Sequence, residues 1–391
     1  MGPISDEVGV EQGGISSGDY YKIFARSQLN SCQNSELGVK MFDNVVSAIG
    51  QSDDTVVVSN SIYNLQLLLQ LNLQFCKRSE TELTPSKTKL QVLSLPSHAD
   101  RVYYDQIINP IQINGKYISF SDKAEHVGVL RSVDGNLPHI FDRLSSHRKA
   151  LFSVLHTGVA RNHRGNPVAG LRLEKVYGAP VLLSGLGSLV LKQSEISVID
   201  RHHRNILRSL LRLPGKTPVP AIYFLSGSLP ASALIHMRQF TLLGMITRQR
   251  GGVLHNHASN IYSSSKRFAR SWFTQVENLC LQYNLPHPIT YLQMPPDKRV
   301  YKSLISARII DYWEQKLRSD ASSMTLNVTS TVLNSHTKYS VQQDPVHIML
   351  VWQHYKLKWF VMFIQVKIDV GFGLWQIHWD IVQPPVVSHL K

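Results

Sequence analysis

Residues 45–58 read VVSAIGQSDDTVVV, and in them two apolar runs flank the adjacent aspartates Asp53 and Asp54. These runs predict two β-strands joined by an acidic turn, which together make a hairpin. Like charges held close together at a turn destabilise a fold, whereas Mg²⁺ binds hard carboxylate oxygens and bridges them to phosphates. The acidic pair therefore indicates a divalent-cation site. Because aspartate is common in turns, a plain surface hairpin is the alternative interpretation.

The chain has 391 residues, enough for two or three domains of about 100–200 residues each. Its net charge of +14 is unevenly placed, since residues 1–60 contain 3 basic and 8 acidic residues and residues 151–250 contain 13 basic and 3 acidic ones. An acidic site beside a basic body suits a protein that binds nucleic acid through its phosphates. Many soluble proteins are basic without binding nucleic acid, so charge alone does not decide the function.

Several classes of protein are disfavoured by the sequence. The three cysteines, Cys32, Cys76 and Cys280, are far apart and predict neither a disulfide framework nor a zinc site, which fits a reducing, intracellular setting. The first residues lack the basic and apolar regions of a signal peptide. No stretch reaches the roughly 18 uninterrupted apolar residues of a spanning helix, so we expect no membrane partner. No nucleophile elbow stands in a strand-turn-helix context.

The hydrophobic pattern is mixed up to about residue 135 and mostly helical beyond it. Helices are predicted over 62–77, 137–155, 196–213, 231–250, 272–283 and 300–317. Residues 106–120 predict a hairpin around Asn114-Gly115. Residues 82–93 predict a turn followed by a strand, and residues 125–131 predict a short strand. Residues 20–46 are loosely helical, with a loop expected near residues 30–34.

Four segments then follow one another in a suggestive order: QGG at 12–14, the acidic hairpin, SKTK at 86–89 and VGV at 127–129. Over about residues 9–131 this order resembles the second half of the palm of reverse transcriptases from non-LTR retrotransposons. The helical region after it, which includes YGAPVLLSGL at 177–186, resembles the segment that follows the polymerase in such elements.

The resemblance implies an α+β fold, with a partial right-hand polymerase palm (an antiparallel sheet with helices) followed by a mostly α-helical region. It divides the chain into a partial palm over 1–135, a thumb-like or connection region over 136–255, a helical C-terminal region over 256–340 and an aromatic-rich tail over 341–391. Four of the six tryptophans fall after residue 340. The sequence leaves open whether this tail folds.

The resemblance also implies an RNA-directed DNA polymerase that transfers nucleotides by a two-metal mechanism. Asp53 and Asp54 would hold Mg²⁺ or Mn²⁺, with Asp53 the more direct ligand. The partners would be an RNA template, a DNA primer and deoxynucleoside triphosphates, and the protein would act in the nucleus. The sequence does not indicate an oligomeric state.

Further roles follow from the same resemblance. Gln12, Gly13 and Gly14 would cradle the template base and the incoming nucleotide, and Lys87 would neutralise the triphosphate. Val127 and Gly128 would belong to the primer grip, where glycine lets the primer backbone approach. For Lys87 the alternative is a solvated lysine at a strand end. For Val127 and Gly128 the alternative is a simple kink in a strand.

Two departures from the family pattern bear on activity. Gln51 stands where an aromatic residue is usual, and Ser52 replaces a small apolar residue. A palm also needs a further metal-binding aspartate on an upstream strand, and residues 2–7, although they include Asp6, do not predict one. We therefore expect weak or no polymerase activity from this chain alone. A nucleic-acid-binding module without catalysis and a degenerate retroelement product remain the alternatives.

The basic residues of the helical half are candidate phosphate contacts. Arg201, Arg204 and Arg208 lie at helical spacing and predict either a face against phosphates or a solvated surface, and Arg161 and Arg164 lie in a basic loop. The pair His202-His203 suggests a metal site only weakly, because consecutive residues on a helix point about 100° apart.

Overall fold

The computed structural model describes residues 16–42, 44–51, 54–91, 111–118, 121–154, 166–264 and 271–323. All of them belong to one compact unit, Met1–Val328. The described residues form a mixed α+β fold that is mostly helical, with small antiparallel sheets, which confirms the coarse fold class predicted from the sequence.

Strands are confined to the first part of the chain. Its elements are α1 (Ser17–Asn34), β1 (Val39–Met41), β2 (Asn44–Val46), β3 (Ala48–Gln51), β4 (Asp54–Val57), α2 (Ile62–Arg78), β5 (Gln112–Ile113), β6 (Lys116–Tyr117), β7 (Lys123–His126) and β8 (Val129–Ser132). Each odd-numbered strand pairs antiparallel with the next strand, and the described residues thus contain four separate two-stranded sheets.

Helices make up the second part. They are α3 (Leu137–Val154), α4 (Pro167–Leu173), a π-helical segment (Glu174–Gly178), α5 (Ala179–Leu182), α6 (Gln193–Leu210), α7 (Val219–Ser226), α8 (Ala231–Arg248), α9 (Val253–Ser263), α10 (Trp272–Gln282), α11 (Pro288–Gln293) and α12 (Lys298–Ser323), with a 3-10 turn at Leu186–Ser188. The helices predicted from periodicity are confirmed, with ends that shift by a few residues.

The core of the helical part follows from this periodicity. In α12 every fourth residue is buried, from Tyr301 to Leu317, which gives the helix one apolar stripe. The stripe packs against α8, whose Phe240 and Leu243 are fully buried, and against α10. A second cluster joins α3, α5 and α6 around Ile140 and Ile199. Burial of these side chains supplies most of the driving force for folding in this region.

The prediction of a loop near residues 30–34 is wrong, because α1 continues to Asn34. Tertiary contacts hold this last turn in place. Gln28 Nε2 donates to Asn72 Oδ1 at 2.5 Å, and Asn72 Nδ2 donates to Cys32 Sγ at 3.2 Å. All three residues are buried between α1 and α2. The buried hydrogen bonds between the two helices stabilise this last turn of α1 more than the local sequence favours a loop.

No single helix in the described ranges is long and apolar enough to cross a membrane. When α7 and α8 are taken together, the pair is long and apolar enough by length and composition, but its two helices are bent by 62°. Both helices of this pair contribute buried residues to the protein core, including Ile222 and Phe240.

Candidate functional site

The acidic hairpin predicted from the sequence is confirmed as β3 and β4. Gln51 pairs with Asp54 at the end of the two strands, and Ser52 lies outside the described residues. Asp54 is exposed at the first position of β4. Asp53 lies outside the described residues, as do Gln12, Gly13, Gly14, Arg161 and Arg164, and their predicted roles stay predictions.

Helix α1 fixes the position of this hairpin. A Cβ atom at Gly50 would lie 3.0 Å from Leu29 Cδ1, so the strand backbone packs directly on the helix. The Gln33 side chain reaches the chain just before β3, where it donates to the Val45 carbonyl and accepts from Ser47 N at 3.3 Å. The exposed Asp54 is thus carried by a hairpin that is anchored at its base.

Lys87 lies in a turn and not in the predicted strand. Its backbone N–H donates to Thr84 O at 3.1 Å, and its side chain is exposed. The segment that follows joins the hairpin β7–β8, since the Gln91 side-chain amide donates to Asp122 O and Arg131 O at 3.2 Å each. These two hydrogen bonds connect the Lys87 segment to β7–β8.

Val127 and Gly128 form the two-residue turn between β7 and β8, and the prediction of a strand at these positions is wrong. Both residues have positive φ, 52° for Val127 and 72° for Gly128, as a tight hairpin turn of this kind requires. Val127 is 54% exposed, so the tip of this hairpin offers an apolar side chain and a bare backbone to solvent.

The hairpin β7–β8 is fastened to the helical part by His139 of α3. Leu130 N donates to His139 Nδ1 at 3.2 Å, and His139 Nε2 lies 3.1 Å from Ser184 O. Because the carbonyl can only accept, the ring carries its proton on Nε2. Burial lowers the pKa of His139, which favours this neutral form. These contacts cross the boundary that the sequence predicts at residue 135.

Arg201, Arg204 and Arg208 lie on one face of α6, within an arc of about 60°. Arg201 is exposed, and the other two side chains are half-buried. Within the described ranges none of the three arginines has a carboxylate within ion-pair distance. The predicted basic helix face therefore exists, and none of its three arginines forms an ion pair with a carboxylate that the structure describes.

His202 and His203 lie between Arg201 and Arg204 in α6, face the protein interior and belong to a buried cluster. His147 Nε2 lies 2.8 Å from Glu174 Oε2, and His203 Nε2 lies 3.4 Å from Glu174 Oε1. His202 Nε2 lies 2.9 Å from His147 Nδ1. Burial alone would raise the pKa of Glu174, but the hydrogen bonds and charges of His147 and His203 outweigh it and lower this pKa to about 2. The carboxylate is thus ionised in the core.

The backbone around Glu174 is adapted to this cluster. Residues Glu174–Gly178 form one π-helical turn, which places an extra residue in the helix. A Cβ atom at Gly178 would overlap Glu174 Oε2 and would lie 2.9 Å from His147 Nε2. Only glycine leaves room for the carboxylate against the helix backbone at this point.

Sequence reasoning singled out His202 and His203 and missed Glu174 and His147. The signal was weak, because these residues are distant in sequence and each looks like an ordinary polar residue of a helix. In the part of the chain that the structure describes, no group of three or more His, Cys, Asp or Glu side chains, this cluster included, is arranged so that it could hold a metal ion. The cluster is best explained as a buried ion-pair network, which supports the helix that carries the basic face.

Comparison with known proteins returns no match, either to a family model or to a curated protein.

Proposed function

We propose that this chain is a reverse-transcriptase fragment of the non-LTR retrotransposon type, and that it binds nucleic acid through its helical half. The observation that carries the proposal is the row of Arg201, Arg204 and Arg208 on one face of α6, none of which forms an ion pair with a carboxylate among the described residues. Over seven residues this row extends about 10 Å along the helix axis, so that it can contact more than one phosphate.

Exposed or half-buried arginines that lack a carboxylate partner are suited to phosphate contacts, because the guanidinium group donates in a planar fork. The charge of the surrounding sequence also favours phosphate binding, since residues 151–250 contain 13 basic and 3 acidic residues. Phosphate contacts position a nucleic acid without reading its sequence. We therefore expect binding that is salt-dependent and largely independent of sequence.

Salt titration tests this function. Binding of a fluorescently labelled single-stranded RNA is measured by anisotropy over a range of salt concentrations, for the wild type and for a variant with Arg201→Gln, Arg204→Gln and Arg208→Gln. Each lost phosphate contact should reduce the slope of log K against log salt by about 0.7, so the triple variant should lose about 2.

A matched control removes the same charge elsewhere. Lys77→Gln, Lys116→Gln and Lys123→Gln change three exposed lysines of the first part and should leave the slope nearly unchanged. Equal losses in both triple variants would mean that only net charge matters, and the α6 face would then not be an interface. A thermal melt of each variant confirms that it folds.

A second candidate function is polymerase chemistry, which is favoured by the anchored hairpin with Asp54 at the start of β4. Two-metal transfer needs a further carboxylate beyond Asp53 and Asp54. By resemblance this aspartate comes from an upstream palm strand. We expect the chain alone to give weak or no primer extension on poly(rA)/oligo(dT) with Mg²⁺ or Mn²⁺.

The complementing experiment adds the upstream polymerase segment of a related element as a separate chain. Incorporation that appears on mixing and is abolished by Asp53→Asn would support a catalytic hairpin. If Asp53→Asn retained full incorporation, the activity would not come from this hairpin.

A further inference from the structure

A polar pocket of about 440 Å³ opens beside the arginine face, between α6, α7, α8 and α12. This volume lies within the range of small-molecule sites. Its lining includes Asp200 and Arg204 from α6, Tyr223 from α7, Ser232 and His236 from α8, and Trp313 and Lys316 from α12. Tyr223, Ser232 and His236 are buried, whereas Lys316 is exposed at the rim.

The floor of the pocket contains an unsatisfied hydroxyl group. Ser232 is 4% exposed, and its Oγ atom has no hydrogen-bond partner among the residues that the structure describes. Its backbone N–H donates to Asp200 Oδ1 at 2.9 Å, which holds that carboxylate at the pocket wall. A buried hydroxyl without a partner destabilises the free protein, and a ligand that bonds to it would remove this penalty.

A second donor comes from a chain of hydrogen bonds behind the floor. Trp313 Nε1 donates to Tyr283 OH at 3.1 Å, and this hydroxyl lies 2.6 Å from His236 Nδ1. The indole can only donate, so the Tyr283 hydrogen is available for Nδ1, and His236 then carries its own proton on Nε2. Burial lowers the pKa of His236 to about 4, which keeps the ring neutral.

The charges around the pocket are balanced. Arg204 and Lys316 are matched by Asp200 and Asp320, so an isolated phosphate would meet two carboxylates as well as two cations. A neutral group that carries both donors and acceptors suits this lining better. Trp313 and Tyr312 add aromatic surface, and Lys316 Nζ already lies 4.7 Å from the centre of the Trp313 ring.

This lining suits a nucleobase, which is flat and neutral and has both hydrogen-bond donors and acceptors on its edge. Arg204 belongs to the pocket and also to the arginine face, so the two sites are continuous. We propose that the pocket takes one unstacked base of a single-stranded nucleic acid while the phosphates of that strand lie along Arg201 and Arg208. This inference rests on the proposed nucleic-acid binding and adds a base-binding site to it.

Bases of single strands that are bound by proteins are commonly splayed out and held by stacking and edge hydrogen bonds. One stacked base contributes about 1–3 kcal/mol, or at least about fivefold in affinity. Removal of the base from the strand while its phosphate is kept should therefore weaken binding by about this factor, without a change in the salt slope.

The experiment compares a short labelled single-stranded RNA with the same RNA carrying abasic positions, by anisotropy on the full chain. The wild type should bind the abasic strand at least about fivefold more weakly. The pocket variant Ser232→Ala with Tyr223→Phe should weaken binding of the intact strand and should distinguish the two strands less than the wild type does, because hydrogen bonds between base and pocket are lost. Ser209→Ala, on an exposed residue of α6, is the matched control and should behave as the wild type.

If abasic substitution weakened binding equally in the wild type and the pocket variant, or in neither, the pocket would not hold a base. Salt-dependent binding that persists in that case would leave the proposed function intact and would overturn the base-binding site alone. If the wild type showed no salt-dependent binding, the proposed function would itself fail. A melting temperature close to that of the wild type is required of the pocket variant, and Ser232→Ala alone serves if the double variant unfolds.

Discussion

Glu174 Oε2 lies 2.8 Å from His147 Nε2 in the interior of the helical part, and both side chains are almost completely removed from solvent. A buried carboxylate is tolerated only when it is paired and hydrogen-bonded, because an uncompensated charge in the core destabilises the protein strongly. Its two histidine partners come from α3 and α6, so this one carboxylate connects three segments of the chain.

Replacement of Glu174 by Ala should destabilise the protein by about 3–5 kcal/mol, since it leaves buried histidines without their acceptor. Urea unfolding followed by circular dichroism measures the change. Lys175→Ala, on the exposed neighbour, is the matched control and should change the free energy of unfolding by about 0.5 kcal/mol or less. A small effect of Glu174→Ala would show that the network does not stabilise the fold.

Gly178→Ala should also destabilise the protein, because the added Cβ atom would overlap Glu174 Oε2. Relief of this overlap requires a shift of the carboxylate away from His147 or of the π-helical turn, and overpacking of this kind costs about 1–3 kcal/mol. Gly18→Ala is the control, since a Cβ atom added there would have no neighbour within 4 Å among the described residues and alanine favours the helix α1. The two melting temperatures should move in opposite directions.

The free energy of unfolding should fall as the pH is lowered from about 6.5 to about 4. Burial lowers the pKa of His202 and of His236 from 6.5 to about 4. In this interval the unfolded chain takes up protons that the folded protein does not bind, so unfolding becomes easier. Stability should be greatest above this window, and unfolding in urea at a series of pH values measures the slope.

A further loss should follow below pH 4.5. The pKa of Glu174 falls from 4.5 to about 2 in the folded state, so its contribution is present above 4.5 and disappears as the pH drops through 2. His236→Asn should flatten the upper part of the curve and leave this lower part in place. A free energy of unfolding that stays constant between pH 6.5 and 4 would contradict the buried, neutral state of both histidines.

Gln33→Ala should loosen the acidic hairpin, because the Gln33 amide bonds to Val45 O and Ser47 N on the chain that leads into β3. Loss of these bonds should cost about 1–2 kcal/mol, and amide exchange in β3 and β4 should rise more than in the helical part. Gln70→Ala, on an exposed position of α2, is the control. Uniform exchange throughout the chain would mean that Gln33 does not anchor the hairpin.

Local signals in the sequence predicted much of the fold. Asn114-Gly115 forms the expected hairpin turn, with φ of 50° and 77°, because these residue types adopt positive φ easily. The stripe from Tyr301 to Leu317 predicted α12 in the same way. In contrast, Val127 is β-branched and normally avoids positive φ, so its place in a turn could not be predicted from its residue type.

The candidate sites differ in the same way, because a local pattern predicts one of them and tertiary packing determines the others. The arginine face of α6 depends only on spacing within one helix, and the sequence was sufficient to predict it. The pocket beside it requires that Asp200, Tyr223, Ser232 and Trp313 converge from four helices, and the carboxylate cluster requires a π-helical turn. Both depend on how helices pack, which no local pattern specifies.

The extra residue in the π-helical turn sets the rotational phase of everything that follows it. If the same five residues formed an ordinary α-helix, the downstream chain would rotate by about 100°, and the buried Leu182 of the next helix would turn away from the core. The segment 174–178 thus behaves as a fixed spacer: substitutions at its solvent-facing positions are tolerated as long as the wide turn is kept, while its conversion to an α-helical turn is not.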